Sequence, residues 1–376
     1  MARERIVSGV SAGEDEQRLN YALRPQRFDQ YVGQSRLVEK LRIAVEAARR
    51  RGEPVEHTLL HGPPGLGKTT LAHVIANEVG AKLHVTAGPA LTKGADLVGI
   101  LTKLGHGDIL FIDEIHRLNP VVEEYLYPAM EDYKIDITLD QGAHARSVTL
   151  PLPPFTLIGA TTRVGLLAGP MRDRFGIREH LDFYTTDDLF TILQANARLL
   201  RLDAERDALI ELAARSRGTP RIANRLLRRV RDYAAVRGPR AGTPPEPPAP
   251  TRLTLDLTRQ ALDLEGIDAL GLDELDRQFL LTLIRIYRGG PAGIEALAAT
   301  LGEEIDTLVD VVEPFLLQSG LVVRTRQGRR ATAVAYDHLR KVAPDKLGSC
   351  VPPAADDDAG LFGTRTDPDP DDDGGP

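Results

Sequence analysis

A glycine-rich loop carries the clearest chemical signal in the sequence. The run Gly62-Pro63-Pro64-Gly65-Leu66-Gly67-Lys68-Thr69-Thr70 contains G-x-x-x-x-G-K-[ST] with every position filled. Glycines let backbone N–H groups converge on phosphate oxygens, because no Cβ stands in the way. We expect Lys68 to reach the β- and γ-phosphates of a nucleotide and the Thr69 hydroxyl to be a Mg²⁺ ligand. A simple Gly-Pro turn is the alternative, but an apolar strand before the loop and a helical pattern to Val79 after it favour nucleotide binding.

Two acids follow another apolar run. Ile109–Ile112 predicts a buried strand, and Asp113 and Glu114 come at its carboxyl end, where parallel α/β sheets place their ligands. We expect Asp113 to hold Mg²⁺ through water and Glu114 to polarise the attacking water. A pair of acids after a strand is usually a solvated turn, but the glycine-rich loop upstream favours a site. The second acid favours hydrolysis of ATP over binding alone.

A further strand, Phe155–Ala160, ends in Thr161-Thr162. A hydroxyl at this position, Thr161 in particular, is a candidate contact for the γ-phosphate or the attacking water. A helix N-cap or a turn explains either threonine nearly as well.

The elements that position these residues predict an α/β fold. Short continuous apolar runs alternate with helical stretches, which is typical of a parallel sheet covered by helices on both faces. The four runs are Thr58–His61, Lys82–Val85, Ile109–Ile112 and Phe155–Gly159. Alternating residues from Tyr133 to Leu152, with a turn at Gln141-Gly142, predict an inserted β-hairpin. After Tyr184 the pattern is helical to Arg237 and again from Leu253 to Leu264. Three further helices and a hairpin follow, which is the winged-helix arrangement.

These patterns divide the chain into four parts. We predict a large ATPase domain over 1–184, a small helical lid over 185–266 with a Pro-rich loop at 238–250, a winged-helix head over 267–348 and a disordered acidic tail over 349–376.

The net charge of -7 misleads, because the tail carries eight Asp and one Arg. Without the tail, the 47 basic and 54 acidic residues of the chain become 46 of each, so a uniformly basic nucleic-acid binder is excluded. The one cysteine, Cys350, excludes an internal disulfide framework and a Cys-cluster zinc site. With neither a secretory signal nor a run of about 18 apolar residues, we expect a cytoplasmic protein without a membrane partner.

Several segments together resemble the RuvB family of AAA+ ATPases, the motors of bacterial Holliday-junction branch migration. The resemblance runs from about Arg18 to Leu347, and the loop 238–250 and the tail depart from it. Besides the glycine-rich loop, the segments that carry it are Leu110–Leu118, Tyr127–Tyr133, Pro153–Arg163, Arg172–Gly176 and Arg217–Arg229.

The resemblance implies an AAA+ P-loop ATPase domain, a helical small domain and a C-terminal winged-helix head. It also implies site residues that spacing alone does not assign. Arg174 matches the arginine finger of a neighbouring subunit, Arg221 matches an arginine that senses the γ-phosphate within its own subunit, and Arg172 remains an alternative finger. The other matching nucleotide-pocket positions are Leu23, Arg24, Glu131, Asp132, Tyr133 and Tyr184.

Partners follow from the same resemblance. It implies ATP and Mg²⁺ as ligands, a homo-hexameric ring around the duplex DNA of Holliday junctions, and the RuvC resolvase complex as an associate. The hairpin 135–150 resembles the docking element for RuvA, the junction-binding loader of the rings, although an ordinary edge hairpin would have the same pattern.

The predicted wing concentrates positive charge. Arg324, Arg326, Arg329 and Arg330 lie on it with no acid between Leu321 and Tyr336, so they suit phosphate contacts without base readout. Arginines that only keep an edge strand soluble are the alternative. Pro314 predicts a kink in the third head helix, which favours backbone tracking over a recognition helix in the major groove.

The leading hypothesis from these observations is an ATP-driven DNA translocase. Two other classes of function remain as alternatives. The first is another AAA+ machine, such as a clamp loader, an initiator or a protein remodeller. The second is a catalytically silent DNA-binding scaffold, against which the intact Lys68, Thr69, Asp113 and Glu114 speak.

Overall fold

The computed structural model describes residues 23–138, 147–238, 251–348 and 350. Its large unit is a parallel sheet between helical layers, as the alternating pattern predicts. The bounds are α1 Ser35–Arg51, β1 Thr58–His61, α2 Lys68–Val79, β2 Leu83–Ala87, α3 Gly94–Leu101, β3 Ile109–Asp113, α4 Pro120–Glu131, β4 Lys134–Thr138, β5 Ser147–Pro151, β6 Thr156–Thr161, α5 Gly169–Asp173 and β7 Ile177–His180.

The sheet has the strand order β2-β3-β6-β1-β7, and every neighbouring pair is parallel. Side chains of the central strands alternate between two cores. Phe111 and Ile158 face α1 and α2, and Leu110 and Leu157 face α3 and α4.

Two edges of this sheet differ from the sequence prediction. The run at β2 predicts a strand buried on both faces, but β2 is an edge strand whose Val85 is exposed. The other edge, β7, was not predicted, because its sequence Ile-Arg-Glu-His lacks an apolar run. Edge strands are half solvated, so their hydrophobic signal is weak.

The inserted hairpin is confirmed as an antiparallel pair of β4 and β5, in which Ile135 faces Leu150. The predicted turn at Gln141-Gly142 lies outside the described residues.

The lid is mainly helical, but the prediction of an all-helical stretch was wrong in one respect. The short strands β8 and β9 pair in parallel, so the helix predicted from Leu253 begins two residues later, after the N-cap Thr254. The bounds are α6 Thr186–Leu199, β8 Leu202–Ala204, α7 Arg206–Ala214, α8 Pro220–Arg237, β9 Thr251–Leu253 and α9 Leu255–Leu264. Apart from Gly238, the Pro-rich loop lies outside the described residues.

The head has its own core, built around Phe279, Leu297, Leu316 and Tyr336. Its bounds are α10 Glu274–Arg285, α11 Ile294–Leu301, α12 Ile305–Thr307, a π-helix Leu308–Val312, α13 Glu313–Gln318, β10 Val322–Thr325, β11 Gly328–Ala331, α14 Ala333–Val342 and α15 Pro344–Leu347. The tail lies outside the described residues, except Cys350. None of the described helices is both long and apolar enough to span a membrane.

The third head helix departs from a simple kink at Pro314. The irregularity precedes the proline, because Leu308–Val312 form a π-helix and Pro314 lies in the first turn of α13. A proline ring clashes with the carbonyl four residues earlier, here that of Asp310, and the wider π-helix relieves this clash.

Candidate ATPase site

The glycine-rich loop joins β1 to α2, as its motif predicts. Gly67 ends the loop with a φ of 102°, and a Cβ at this position would lie 2.7 Å from the Tyr31 hydroxyl oxygen. Only glycine combines this backbone conformation with this close approach. The loop therefore leads directly into the N-terminus of α2, where a phosphate is favoured.

Lys68 is buried at the start of α2. Its Nζ donates to the carbonyl oxygens of Gly62 at 2.7 Å and Pro63 at 2.9 Å. Burial lowers the pKa of Lys68 to about 8, although Asp113 and Glu114 act in the opposite direction. The ammonium is thus desolvated and surrounded by charges, which makes it a strong partner for an incoming anion.

Asp113 and Glu114 lie at the carboxyl end of β3, beside the loop. Glu114 has a φ of 48°, a left-handed conformation that is uncommon outside glycine, and its N–H donates to Asp113 Oδ1 at 3.0 Å. Burial, together with the charge of Asp113, raises the pKa of Glu114. A carboxylate with a raised pKa accepts a proton more readily, as a general base must.

The two threonines at the end of β6 contact different partners. Thr161, the predicted contact, is fully buried, and its Oγ1 lies 2.8 Å from His116 Nδ1. Its neighbour Thr162 donates to Glu114 Oε2 at 3.3 Å. Thr162 therefore contacts Glu114, whereas Thr161 contacts the neighbouring His116.

His116 was missed by the sequence reasoning. Its side chain is 2% exposed, and Nδ1 lies 3.3 Å from Glu114 Oε2. Burial lowers the pKa of His116 and so favours the neutral ring. With its proton on Nδ1, this ring can donate toward both Thr161 Oγ1 and Glu114 Oε2. The available signal was a histidine placed two residues after Glu114.

Tyr184 and the N-terminal segment flank the loop. The Tyr184 hydroxyl donates to the Leu66 carbonyl oxygen at 3.1 Å and contacts the Tyr31 hydroxyl at 3.0 Å, and burial raises the pKa of Tyr184 to about 12. Leu23 is buried, and the charge of Arg24 acts on His73 in α2. These predicted pocket residues lie around the helix that starts at Lys68.

Arg221 brings the lid to the loop. The backbone N–H of Arg221 donates to the Gly65 carbonyl oxygen at 3.4 Å. A Cβ on Gly65 would lie 3.1 Å from the Arg221 Cβ. The carboxylates of Asp113 and Glu114 act on its guanidinium. The loop, the two acids and the lid arginine thus form one site.

Arg174 belongs to a second cluster, at the end of α4. Its Nη2 lies 3.0 Å from Glu131 Oε1, its guanidinium lies 4.3 Å from the centroid of Tyr127, and Nη1 donates to the Pro170 carbonyl oxygen. Of the other predicted pocket residues here, Asp132 pairs with Lys134 and Tyr133 packs on Phe155. The structure thus joins Glu131 to Arg174.

Comparisons with known proteins identify the family. Family models described as the RuvB P-loop domain, the RuvB AAA lid domain and the RuvB C-terminal winged-helix domain match residues 23–181, 184–244 and 269–340. The Holliday junction branch migration complex subunit RuvB of Myxococcus xanthus is 53% identical over 92% of this chain and 97% of its own length. The chain belongs to the RuvB family.

Other RuvB proteins agree with this assignment. The Desulfosudis oleivorans RuvB is 57% identical over 85% of this chain and 90% of its own length. The structure described as the Thermotoga maritima RuvB Holliday junction branch migration motor is 50% identical, with a TM-score of 0.75, and covers 85% of this chain and 98% of the other. The α/β fold and its three RuvB domain types are confirmed.

The predicted wing is the antiparallel pair of β10 and β11, which lies within the residues that match the RuvB winged-helix domain. Arg324 and Arg329 face each other across the two strands, and both bind the buried carboxylate of Glu313, at 2.5 Å and 2.7 Å respectively. The wing therefore contains an acid contributed by α13, which its own sequence did not reveal. Arg326 lies in the exposed turn between the strands.

Proposed function

We propose that this chain is an ATP-driven motor that moves the duplex DNA of Holliday junctions during homologous recombination and repair. Membership of the RuvB family supports the process, since the relatives are named as branch migration subunits. The observation that carries the proposal is the convergence of Lys68, Asp113 and Glu114 at one end of the sheet with Arg221 of the lid.

The reaction is the hydrolysis of ATP to ADP and phosphate. Glu114, held by Thr162, accepts a proton from the attacking water, and Lys68 holds the β- and γ-phosphates. Arg221 and the N-terminus of α2 stabilise negative charge on the γ-phosphate. The loop glycines and Thr70 line the phosphate side, while Leu23, Arg24 and Tyr184 line the base side.

The residues at this site also suit Mg²⁺. Thr69 supplies a hydroxyl in the first turn of α2, and Asp113 supplies a carboxylate at the end of β3, which are the oxygen ligands that Mg²⁺ prefers. When bound, Mg²⁺ neutralises charge on the β- and γ-phosphate oxygens.

We further propose that the motor is a homo-hexameric ring in which Arg174 and Glu131 act on the nucleotide of a neighbouring subunit. The ion pair between them supports this assignment, because it holds the guanidinium at the end of α4, in a cluster separate from the loop. Asp132 and Tyr133 would contribute to the same interface.

The DNA contacts and partners are proposals of the same kind. Arg324, Arg326 and Arg329 would contact DNA phosphates, the β4–β5 hairpin would bind RuvA, and RuvC would join the complex in the cytoplasm. The division into 1–184, 185–266, 267–348 and the tail also remains a proposal, which the separate core of the head supports.

One assay tests the function. The purified full chain is mixed with a synthetic four-way junction, RuvA, Mg²⁺ and ATP, and branch migration is followed on gels beside a Glu114→Gln control. ATP-dependent conversion of the junction by the wild type alone is expected. Wild-type ATPase activity without any junction conversion would point to another AAA+ machine, and a lack of ATPase activity would point to a silent scaffold.

A further inference from the structure

An acidic segment of the head contacts the ATPase domain. Asp310 of the π-helix accepts from Arg163 Nε at 2.7 Å, and Asp306 accepts from Arg163 Nη2 at 2.9 Å and from Arg117 Nη2 at 2.8 Å. We call these four side chains the head latch. Its two arginines lie in the segments that carry the catalytic groups, since Arg117 is three residues after Glu114 and Arg163 directly follows Thr162.

Apolar residues of the same head segment pack beside the glycine-rich loop. A cavity lies between Pro63 and Pro64 of the loop and Val311, Pro314 and Phe315 of the head. Val311 also packs on the core shared by the sheet and the lid. The π-helix thus covers one side of the phosphate-binding loop.

The lid takes part in this docking. The Arg217 guanidinium lies 5.6 Å from the centroid of the Phe315 ring and pairs with Asp276 and Asp273 of the head. The head is therefore held to the lid as well as to the ATPase domain.

Charge makes the latch sensitive to what the loop binds. The Asp310 carboxylate is 20% exposed, and its negative charge acts on Lys68, Glu114 and His116. A nucleoside triphosphate adds several negative charges beside the same Lys68, where like charges repel in a partly desolvated site.

We propose that docking of the head through this latch and binding of a nucleoside triphosphate at the loop oppose each other. By thermodynamic linkage, the triphosphate weakens the latch by the same factor by which the latch weakens triphosphate binding. The docked head is then an autoinhibited state, and the γ-phosphate charge releases it. This inference goes beyond the proposed function and needs only nucleotide binding at the loop, not branch migration.

The first test measures nucleotide affinity without DNA. The full chain carrying Asp306→Asn and Asp310→Asn is titrated with a fluorescent, non-hydrolysable ATP analogue and Mg²⁺, and separately with the matching ADP. Asp337→Asn is the control, because Asp337 pairs with Arg340 within one helix of the same head. We expect the latch variant to bind the ATP analogue about fivefold or more tightly than the wild type, with a smaller change for ADP.

The second test follows the head itself by hydrogen exchange of peptides that cover residues 305–318. In the wild type and the control, exchange should rise when the ATP analogue is added, and in the latch variant it should be high already. Unchanged affinity of the latch variant overturns the proposal, and so does wild-type exchange that is insensitive to a saturating ATP analogue. Both measurements test the latch even if the protein does not migrate junctions, so failure of this proposal and failure of the proposed function can be told apart.

Discussion

The Thr162 hydroxyl donates to Glu114 Oε2 at 3.3 Å, whereas the adjacent Thr161 hydroxyl lies against His116. We predict that Thr162→Val lowers the turnover number roughly tenfold and leaves nucleotide affinity unchanged, because one hydrogen bond to Glu114, the proposed general base, is lost. Steady-state kinetics and equilibrium binding separate the two quantities. Thr162→Ser should restore most of the rate, and an equal loss of affinity and rate in Thr162→Val would contradict a role in orienting Glu114.

Glu114→Gln should bind ATP and hydrolyse it very slowly, since the substitution keeps the shape of the side chain but removes the proton acceptor. The expected loss of turnover is about 10²–10⁴-fold, the range for general-base catalysis. Single-turnover measurements on ATP-saturated protein check this, with Lys68→Ala as the comparison that loses binding. Near-normal turnover of Glu114→Gln would mean that another group activates the water.

ATP binding should weaken as the pH rises through about 8. Burial lowers the pKa of Lys68 to about 8, so the ammonium is present below that pH and neutral above it. We expect the dissociation constant to rise by up to about tenfold per pH unit above this point. Lys68→Arg is the matched control, because a guanidinium stays charged over this range, and a profile that is the same for both proteins would exclude Lys68 as the titrating group.

Arg174→Ala should bind ATP normally and lose hydrolysis by roughly 10³–10⁵-fold, as expected for an arginine finger. If the finger acts on a neighbour, mixtures with Lys68→Ala should recover ATPase activity, since some intact loops then face an intact Arg174. Mixtures that stay inactive despite confirmed subunit exchange would rule out action between subunits. Arg172, or an ion pair to Glu131 that is only structural, would then be the explanation.

Glu313→Ala should destabilise the wing. The buried carboxylate binds Arg324 and Arg329, which face each other across the hairpin, so its removal leaves two adjacent positive charges. We expect a loss of about 3 kcal/mol, at the lower end for a broken buried pair because Arg324 is half exposed. Hydrogen exchange of amides 322–331 under native conditions measures this, with the exposed Glu304→Ala as control. Equal protection in both variants would show that Glu313 does not hold the wing.

Local patterns were sufficient for much of the fold and the centre of the site. The glycine-rich loop, the acids after β3 and the four apolar runs all follow from periodicity and motif, because each depends on residues close in sequence. The strand β7 and the short strands β8 and β9 did not, since each is defined by a partner distant in the chain.

The same reason explains what was missed in the site. Nothing near Thr162 shows that it, rather than Thr161, faces Glu114, because the strand's orientation decides which side chain points inward. Glu313 precedes Arg324 by eleven residues and lies on a different element, so the wing appeared free of acids. The link between Arg163 and Asp310 spans 147 residues.

The order of the sheet limits where mechanical work can be produced. The strands that end in the glycine-rich loop, the acids and the threonines, β1, β3 and β6, are consecutive in the middle of the sheet, and each has a strand on both sides. Such a block is stiff, so a change at the γ-phosphate cannot bend it. We therefore expect a displacement to be taken up at the crossing into the lid, where the Tyr184 N–H donates to the Gly218 carbonyl oxygen. If the chain moves DNA as proposed, a rotation at this crossing would displace the lid and the head relative to the sheet.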